Sequence, residues 1–164
     1  MQFAEIGFSL CAMLRCTAIF AFVLSMTSPA FATGGFDCTT DDENLQFAAS
    51  SPLGRGMGAP IINLTAAGLV KLKDAPADLA KLEFSKSLVH SWMLHPDVKL
   101  HFYSERGNDK PHGYVELIIT AVAKDDEGTA EGEYQLTVFS TEPPADTTEG
   151  AYLKATGKVS CFVE

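Results

Sequence analysis

The chain has 164 residues, with 12 basic and 21 acidic side chains and a net charge of −9. This acidic balance argues against nucleic acid and anionic membrane surfaces as partners, because both are bound by clustered Lys and Arg.

The first predicted element is a secretory leader. Residues 16–26 form an uncharged apolar run that is too short to span a bilayer as a helix. Arg15 precedes this run, and Ala30 and Ala32 form the small-residue pattern that signal peptidase accepts. We therefore expect residues 1–32 to be a signal peptide that is cleaved after Ala32.

Met13 is an alternative initiator, because the segment before it contains Glu5 and no Lys or Arg, which is unusual for a leader. After cleavage, residues 33–164 would form a single β domain, closed by a disulfide and large enough to bury a core. No later apolar stretch is long enough for a membrane span. We expect a periplasmic or secreted protein.

Two of the four cysteines, Cys38 and Cys161, belong to the predicted mature chain. An even pair in an oxidising compartment is most simply a disulfide. Closing so long a loop stabilises a fold by about 4–5 kcal/mol in the chain-entropy model. The alternative, two free thiols with redox or metal chemistry, lacks a C-x-x-C spacing. A bond between them would make the first and last strands neighbours.

Apolar and polar residues alternate along most of the mature chain, as they do in half-buried strands. Clusters rich in Gly, Pro, Asp and Ser separate the alternating segments. The pattern predicts an all-β domain, an antiparallel β-sandwich or small barrel of about seven to eight strands. At most one short helix is expected, near residues 75–80. The clearest alternating segments are 45–49, 62–66, 82–84, 98–102, 115–121, 134–138 and 159–163.

One predicted hairpin brings several ring side chains together. The segment 95–98 (HPDV) has Pro at the second position and Asp at the third, which suits a type I turn. In the simplest register, Trp92 lies opposite His101 and His90 lies opposite Tyr103. These four residues would share one face, and directly opposed side chains in a hairpin are in contact. They are the candidate binding residues.

The opposite face of this hairpin would carry core residues, among them Val98, Leu100 and Phe102. Amphipathic rings are favoured at recognition surfaces, because they contribute contact area with little loss of side-chain entropy. The alternative interpretation is a solvent-facing strand pair, or a Trp covered by another loop. A slip of one residue in the register would invert the two faces.

The sequence contains no G-x-S-x-G, H-E-x-x-H, P-loop or EF-hand pattern. The spacing of the four histidines matches no compact zinc ligand set. We therefore expect no catalytic residues, no metal and no cofactor.

The function predicted from these features is a non-enzymatic secreted or periplasmic binding or interaction module, whose ligand the sequence does not specify. One alternative is a structural, envelope-associated protein, which burial of Trp92 and Tyr103 would favour. The other is a hydrolase that uses the histidines of the 88–104 hairpin. A cleft that holds His90 or His101 within hydrogen-bond reach of a carboxylate or hydroxyl would favour the hydrolase.

Overall fold

The computed structural model describes residues 34–54, 61–94, 96–107, 109–124, 128–143 and 148–163. The predicted signal peptide and its cleavage site lie outside these residues. Among these residues there are nine strands, one short α-helix and a 3-10 helix at Phe84–Lys86. In chain order they are β1 (Gly35–Asp41), β2 (Leu45–Pro52), β3 (Thr65–Val70), α1 (Ala77–Ala80), β4 (Lys81–Glu83), β5 (Leu88–Leu94), β6 (Asp97–Glu105), β7 (Gly113–Ala123), β8 (Thr129–Ser140) and β9 (Ala151–Val163).

The predicted all-β class and the single short helix are confirmed, but the predicted strand count and the sandwich alternative are corrected. The nine strands belong to one antiparallel sheet, in the order β4-β3-β2-β1-β9-β8-β7-β6-β5, curled into a half-barrel. Two meanders, β1–β4 and β5–β9, meet where β1 pairs with β9. The short edge strands β4 and β5 follow one another in the chain, on the two sides of the open half-barrel.

Alternation along each strand builds the core, because successive side chains point to opposite faces of the sheet. β2 is buried at every second residue, from Leu45 to Ser51. β1 alternates in the same way but was absent from the predicted segments, since only Phe36 and Cys38 supply apolar signal there. Ala66 of β3 points into the core, as predicted. The strand begins at Thr65, however, so the segment predicted from residue 62 was placed too early.

A cluster of three phenylalanines fills the core between the two meanders. Phe47 of β2 lies 5.4 Å from Phe102 of β6 between ring centroids, and Phe84 of the 3-10 helix lies 6.1 Å and 5.2 Å from these two rings. The three rings are fully buried or nearly so. Ser85, next to Phe84, accepts a hydrogen bond from the backbone N–H of Ala66 in β3. The 3-10 helix therefore ties both halves of the sheet to one core.

The helix α1 covers one end of the half-barrel, where it contacts β3, β4 and β7. Its Leu79 is buried, and its Asp78 pairs with the buried Arg106 that follows β6. Arg106 Nη2 donates to Asp78 Oδ1 at 3.1 Å, and Nη1 donates to Pro111 O and Ser140 Oγ. Burial raises the pKa of Asp78, but hydrogen bonds from Arg106 and Lys110 outweigh it and lower that pKa.

The turn between β1 and β2 is fixed to β8 and β9. Asp42 accepts hydrogen bonds from the backbone N–H groups of Asn44 and Leu45 and from the hydroxyl of the buried Tyr134. Burial raises the pKa of Asp42, but these hydrogen bonds outweigh it and lower that pKa. Burial and the Asp42 carboxylate raise the pKa of Tyr134. Opposite Tyr134, a Cβ on Gly157 would lie 2.2 Å from Asp42 Oδ2, so this close approach requires glycine.

The predicted disulfide is confirmed. Cys38 and Cys161 are directly opposed on β1 and β9, they are bonded, and their Cα atoms are 4.0 Å apart. The first and last strands are therefore neighbours, as predicted. In the described part of the chain, no helix has both the length and the apolar character that crossing a bilayer would need.

Candidate functional site

The predicted hairpin exists as β5 and β6, but its turn is one residue earlier than predicted. Leu94 pairs with Asp97, so His90 lies opposite His101 and Trp92 lies opposite Lys99. The predicted Trp92–His101 and His90–Tyr103 pairs are therefore wrong. Moving the turn by one residue shifts each partner by two positions, which keeps the same side chains on each face.

The candidate residues occupy the solvent side of this hairpin, and Val98, Leu100 and Phe102 are buried on the other side. Trp92 is 56% exposed and His90 is also exposed. His101 and Tyr103 are half-buried against neighbouring side chains of the same face.

A polar group forms around His101. Its ring lies 6.0 Å from that of His90 in a stacked arrangement, with 29° between the ring planes. His101 Nε2 lies 2.8 Å from Glu116 Oε1 of β7, and donates there because a carboxylate oxygen only accepts. Glu116 is also the cross-strand partner of Tyr103. This hydrogen bond holds the His101 ring against the side chain of Glu116 on β7.

A row of ring contacts continues from Tyr103 across the outer side of β7, β8 and β9. Tyr103 stacks on Tyr114 at 5.3 Å between centroids, and Tyr114 lies 5.4 Å from Phe139. Phe139 meets Tyr152 edge to face at 6.2 Å. Lys154 Nζ lies 4.9 Å above the Tyr152 ring, and the Tyr152 side chain raises the pKa of Lys154.

We name this surface the aromatic face: the outward rings of β5–β8 together with Tyr152 of β9, which is 58% exposed. Five strands about 4.8 Å apart make it about 19 Å wide. Its members are His90, Trp92, His101, Tyr103, Tyr114, Phe139 and Tyr152.

Sequence reasoning missed Tyr114, Phe139 and Tyr152. Tyr114 and Phe139 flank the alternating apolar segments of β7 and β8, and they are opposite one another in the register of those strands. Tyr152 is in turn opposite Phe139. The sequence does carry a signal for them: on three successive strands, β7, β8 and β9, a position that alternates with the buried residues holds an aromatic ring. Only the cross-strand register shows that these rings meet.

Two open cavities lie away from the aromatic face. A groove of about 1250 Å³ runs over β1–β3 and the adjacent parts of β8 and β9, past Ala48, Ala67 and Lys158. A smaller one, of about 630 Å³, lies beside α1 and is lined by Asp78, Lys110 and Glu142 among others. No residue of the aromatic face lines either of them.

In the part of the chain that the structure describes, no three His, Cys, Asp or Glu side chains come together as a metal site would require. Within the same residues, no Ser, Thr or Cys side chain is hydrogen bonded to His101. The His101–Glu116 pair has the carboxylate that a general base needs, but it lies on an open sheet face and has no adjacent nucleophile.

Comparison with known proteins gave no match to a family model, to a curated protein or to a solved structure.

Proposed function

We propose that this protein is a non-enzymatic binding module of the periplasm or the extracellular space, and that it holds another protein on the aromatic face. One observation carries this proposal: the row of ring contacts from Tyr103 to Tyr152 lies on the solvent side of the sheet. Tyr152 and Trp92 keep 58% and 56% of their surface exposed.

The composition of the face matches that of protein interfaces. Tyr and Trp are enriched at binding hot spots, since each offers a large rigid surface and a polar atom. Each ring in the row is held by its neighbours, so little side-chain entropy remains to be lost on binding. Charged groups lie next to the rings: Lys99 is opposite Trp92, Lys154 lies above the Tyr152 ring, and Glu116 is bonded to His101.

A protein suits this face better than other ligand classes do. Small molecules are held in concave sites that bury most of their surface, whereas the aromatic face lines neither of the two cavities described above. The net charge of −9 opposes binding of nucleic acid.

The two alternatives from the sequence are less well supported. A purely structural, envelope-associated role would favour burial of both Trp92 and Tyr103, whereas Tyr103 is half-buried and more than half of Trp92 is exposed. A hydrolase would use the His101–Glu116 pair, which has the required carboxylate, but the pair lines neither of the two cavities described above and has no hydroxyl partner among the described residues. The disulfide is compatible with an extracellular location, and so is the finding on membrane-spanning helices.

Site-specific photocrosslinking in the native producing cells tests the proposal. A photoreactive phenylalanine derivative replaces Tyr152 in one strain and Trp92 in another. The matched control carries it at Phe162, which is 41% exposed and on β9 but outside the ring row. We expect the first two positions to crosslink to the same protein, one that is not a second copy of this chain, and the control not to do so. Equal products at all three positions, or none, would contradict the proposal.

The captured protein is then purified and titrated against variants of this chain. We expect Tyr152→Ala to weaken the affinity by at least about tenfold, as hot-spot truncations do. Phe162→Ala should change the affinity by less than about threefold. Equal effects of the two variants would remove the aromatic face from the interface.

A further inference from the structure

The edge strand β5 is unusually exposed and uncharged. It ends the sheet, and no strand of the described residues pairs with its free edge. Val89, Trp92 and Leu94 are 50%, 56% and 61% exposed. β5 (LVHSWML) contains no Lys, Arg, Asp, Glu or Pro, although such residues normally protect an edge from pairing with another chain. The opposite edge, β4, is only three residues long and carries Lys81 and Glu83.

The hairpin register identifies the backbone groups that face this free edge. Two residues separate the paired Leu94 and Asp97, and a two-residue loop closes on a hydrogen-bonded pair. Hydrogen-bonded and non-hydrogen-bonded pairs then alternate from Leu94 back to His90, before the irregularity between His90 and Leu88, so Trp92 directs its N–H and C=O groups toward β6. Ser91 and Met93 direct theirs outward, toward solvent.

The sequence of β5 is complementary to itself in the antiparallel direction. Its centre is Ser91, with a ring residue on each side, His90 and Trp92, and apolar residues beyond them, Val89 and Met93. A second β5 turned by 180° about Ser91 therefore meets side chains of its own class at each of these positions. A two-fold contact of this kind uses the same patch on both copies.

We propose that β5 pairs antiparallel with β5 of a second copy of this chain, with Ser91 at the two-fold axis. Ser91 would lie opposite Ser91 of the second copy, and His90 opposite its Trp92. The outward N–H and C=O groups of Ser91 would form two hydrogen bonds across the axis, and those of Met93 would face Val89 of the second copy, where the register of β5 is irregular. β5 itself brings no charge to the junction, so the net charge of −9 on each copy is not concentrated there.

This pairing goes beyond the proposed partner binding and does not depend on it. It would join the two sheets edge to edge and place two aromatic faces side by side. The rings of His90 and Trp92 would then lie at the centre of a surface of doubled width, where each is now at the margin of one copy.

Charge substitution at the axis tests the pairing, because Ser91 would face itself. The full chain is exported from its host and purified in the oxidised form as wild type, Ser91→Lys and Ser91→Glu. Ser160→Lys is the matched control, since Ser160 is an exposed serine on the central strand β9. Sedimentation and light scattering over a concentration series give the molar mass, and thermal melts verify that each variant is folded.

We expect the wild type and Ser160→Lys to reach twice the mass of one chain, and Ser91→Lys and Ser91→Glu each to remain at the mass of one chain. Like charges directly opposite one another in a strand pair are destabilising, and opposite charges are stabilising. A mixture of the two Ser91 variants should therefore regain the doubled mass. A monomeric wild type overturns the proposal, as does a Ser91→Lys dimer or a mixture that stays monomeric.

Discussion

Replacing Phe102 by Ala tests the assignment of the two faces of β6. Phe102 is fully buried and contacts both Phe47 and Phe84. Truncating a buried Phe to Ala costs about 3–5 kcal/mol of unfolding free energy, from lost transfer energy and the cavity left behind. We expect the upper part of this range, because the lost ring is shared by strands of both meanders and by the 3-10 helix.

The matched control is His101→Ala, next in the chain but on the outer side. Its side chain and that of Glu116 are 30% and 32% exposed, so the lost interaction should cost at most about 1 kcal/mol. Urea denaturation of the oxidised proteins measures both costs. With a slope of about 1–3 kcal/mol per molar urea, a loss of 4 kcal/mol lowers the midpoint by about 1–4 M.

If Phe102→Ala is too unstable to purify, Phe102→Leu keeps most of the buried volume and should cost about 1–2 kcal/mol. The assignment of faces fails if His101→Ala destabilises the protein as much as Phe102→Ala does. It fails equally if Phe102→Ala lowers the unfolding free energy by less than 1 kcal/mol.

Three further predictions concern the leader, the disulfide and the acid stability. Amino-terminal sequencing of the exported protein should find Thr33 as the first residue, and a start more than a few residues away would refute the predicted cleavage site. Replacing both Cys38 and Cys161 by Ala should lower the unfolding free energy by up to about 4–5 kcal/mol in urea titrations, and an unchanged midpoint would contradict the loop-entropy argument. The pKa of Asp42 is lowered in the folded state from 3.8, so its contribution to stability is present above that pH and is lost as pH falls through the lower folded value. Asp42→Asn should flatten the fall in melting temperature below about pH 4 relative to wild type, and parallel curves for the two proteins would exclude Asp42 as a source of acid sensitivity.

The alternation of apolar and polar residues predicted which side chains of a strand are buried, because this property depends on that strand alone. The inward residues of β6 and β7, such as Leu100 and Leu117, are buried as predicted. β3 was placed too early because Gly68 gives its inward face no apolar signal, while Ile62 and Leu64 just before it do. The curling of all strands into one sheet depends on pairing between distant segments, which periodicity does not encode.

The candidate site shows the same limit. The sequence predicted that His90, Trp92, His101 and Tyr103 share one face, because every second residue of a strand points to the same side of the sheet. Their partners depend on where the turn begins, and a turn that begins one residue earlier than predicted moved each pair by two positions. The extension of the face to Tyr152 requires the registers of three further hairpins.

The β1–β9 pair has a consequence for the order of events during folding. Every other strand pair joins consecutive strands of the chain, so their hairpins close short loops. The β1–β9 pair brings together cysteines separated by 123 residues, and such long closures carry a larger entropy cost. We expect the two meanders to form first and this junction last. Cys38 then remains a thiol until β9 is in place, and oxidation locks a finished sheet rather than directing its assembly.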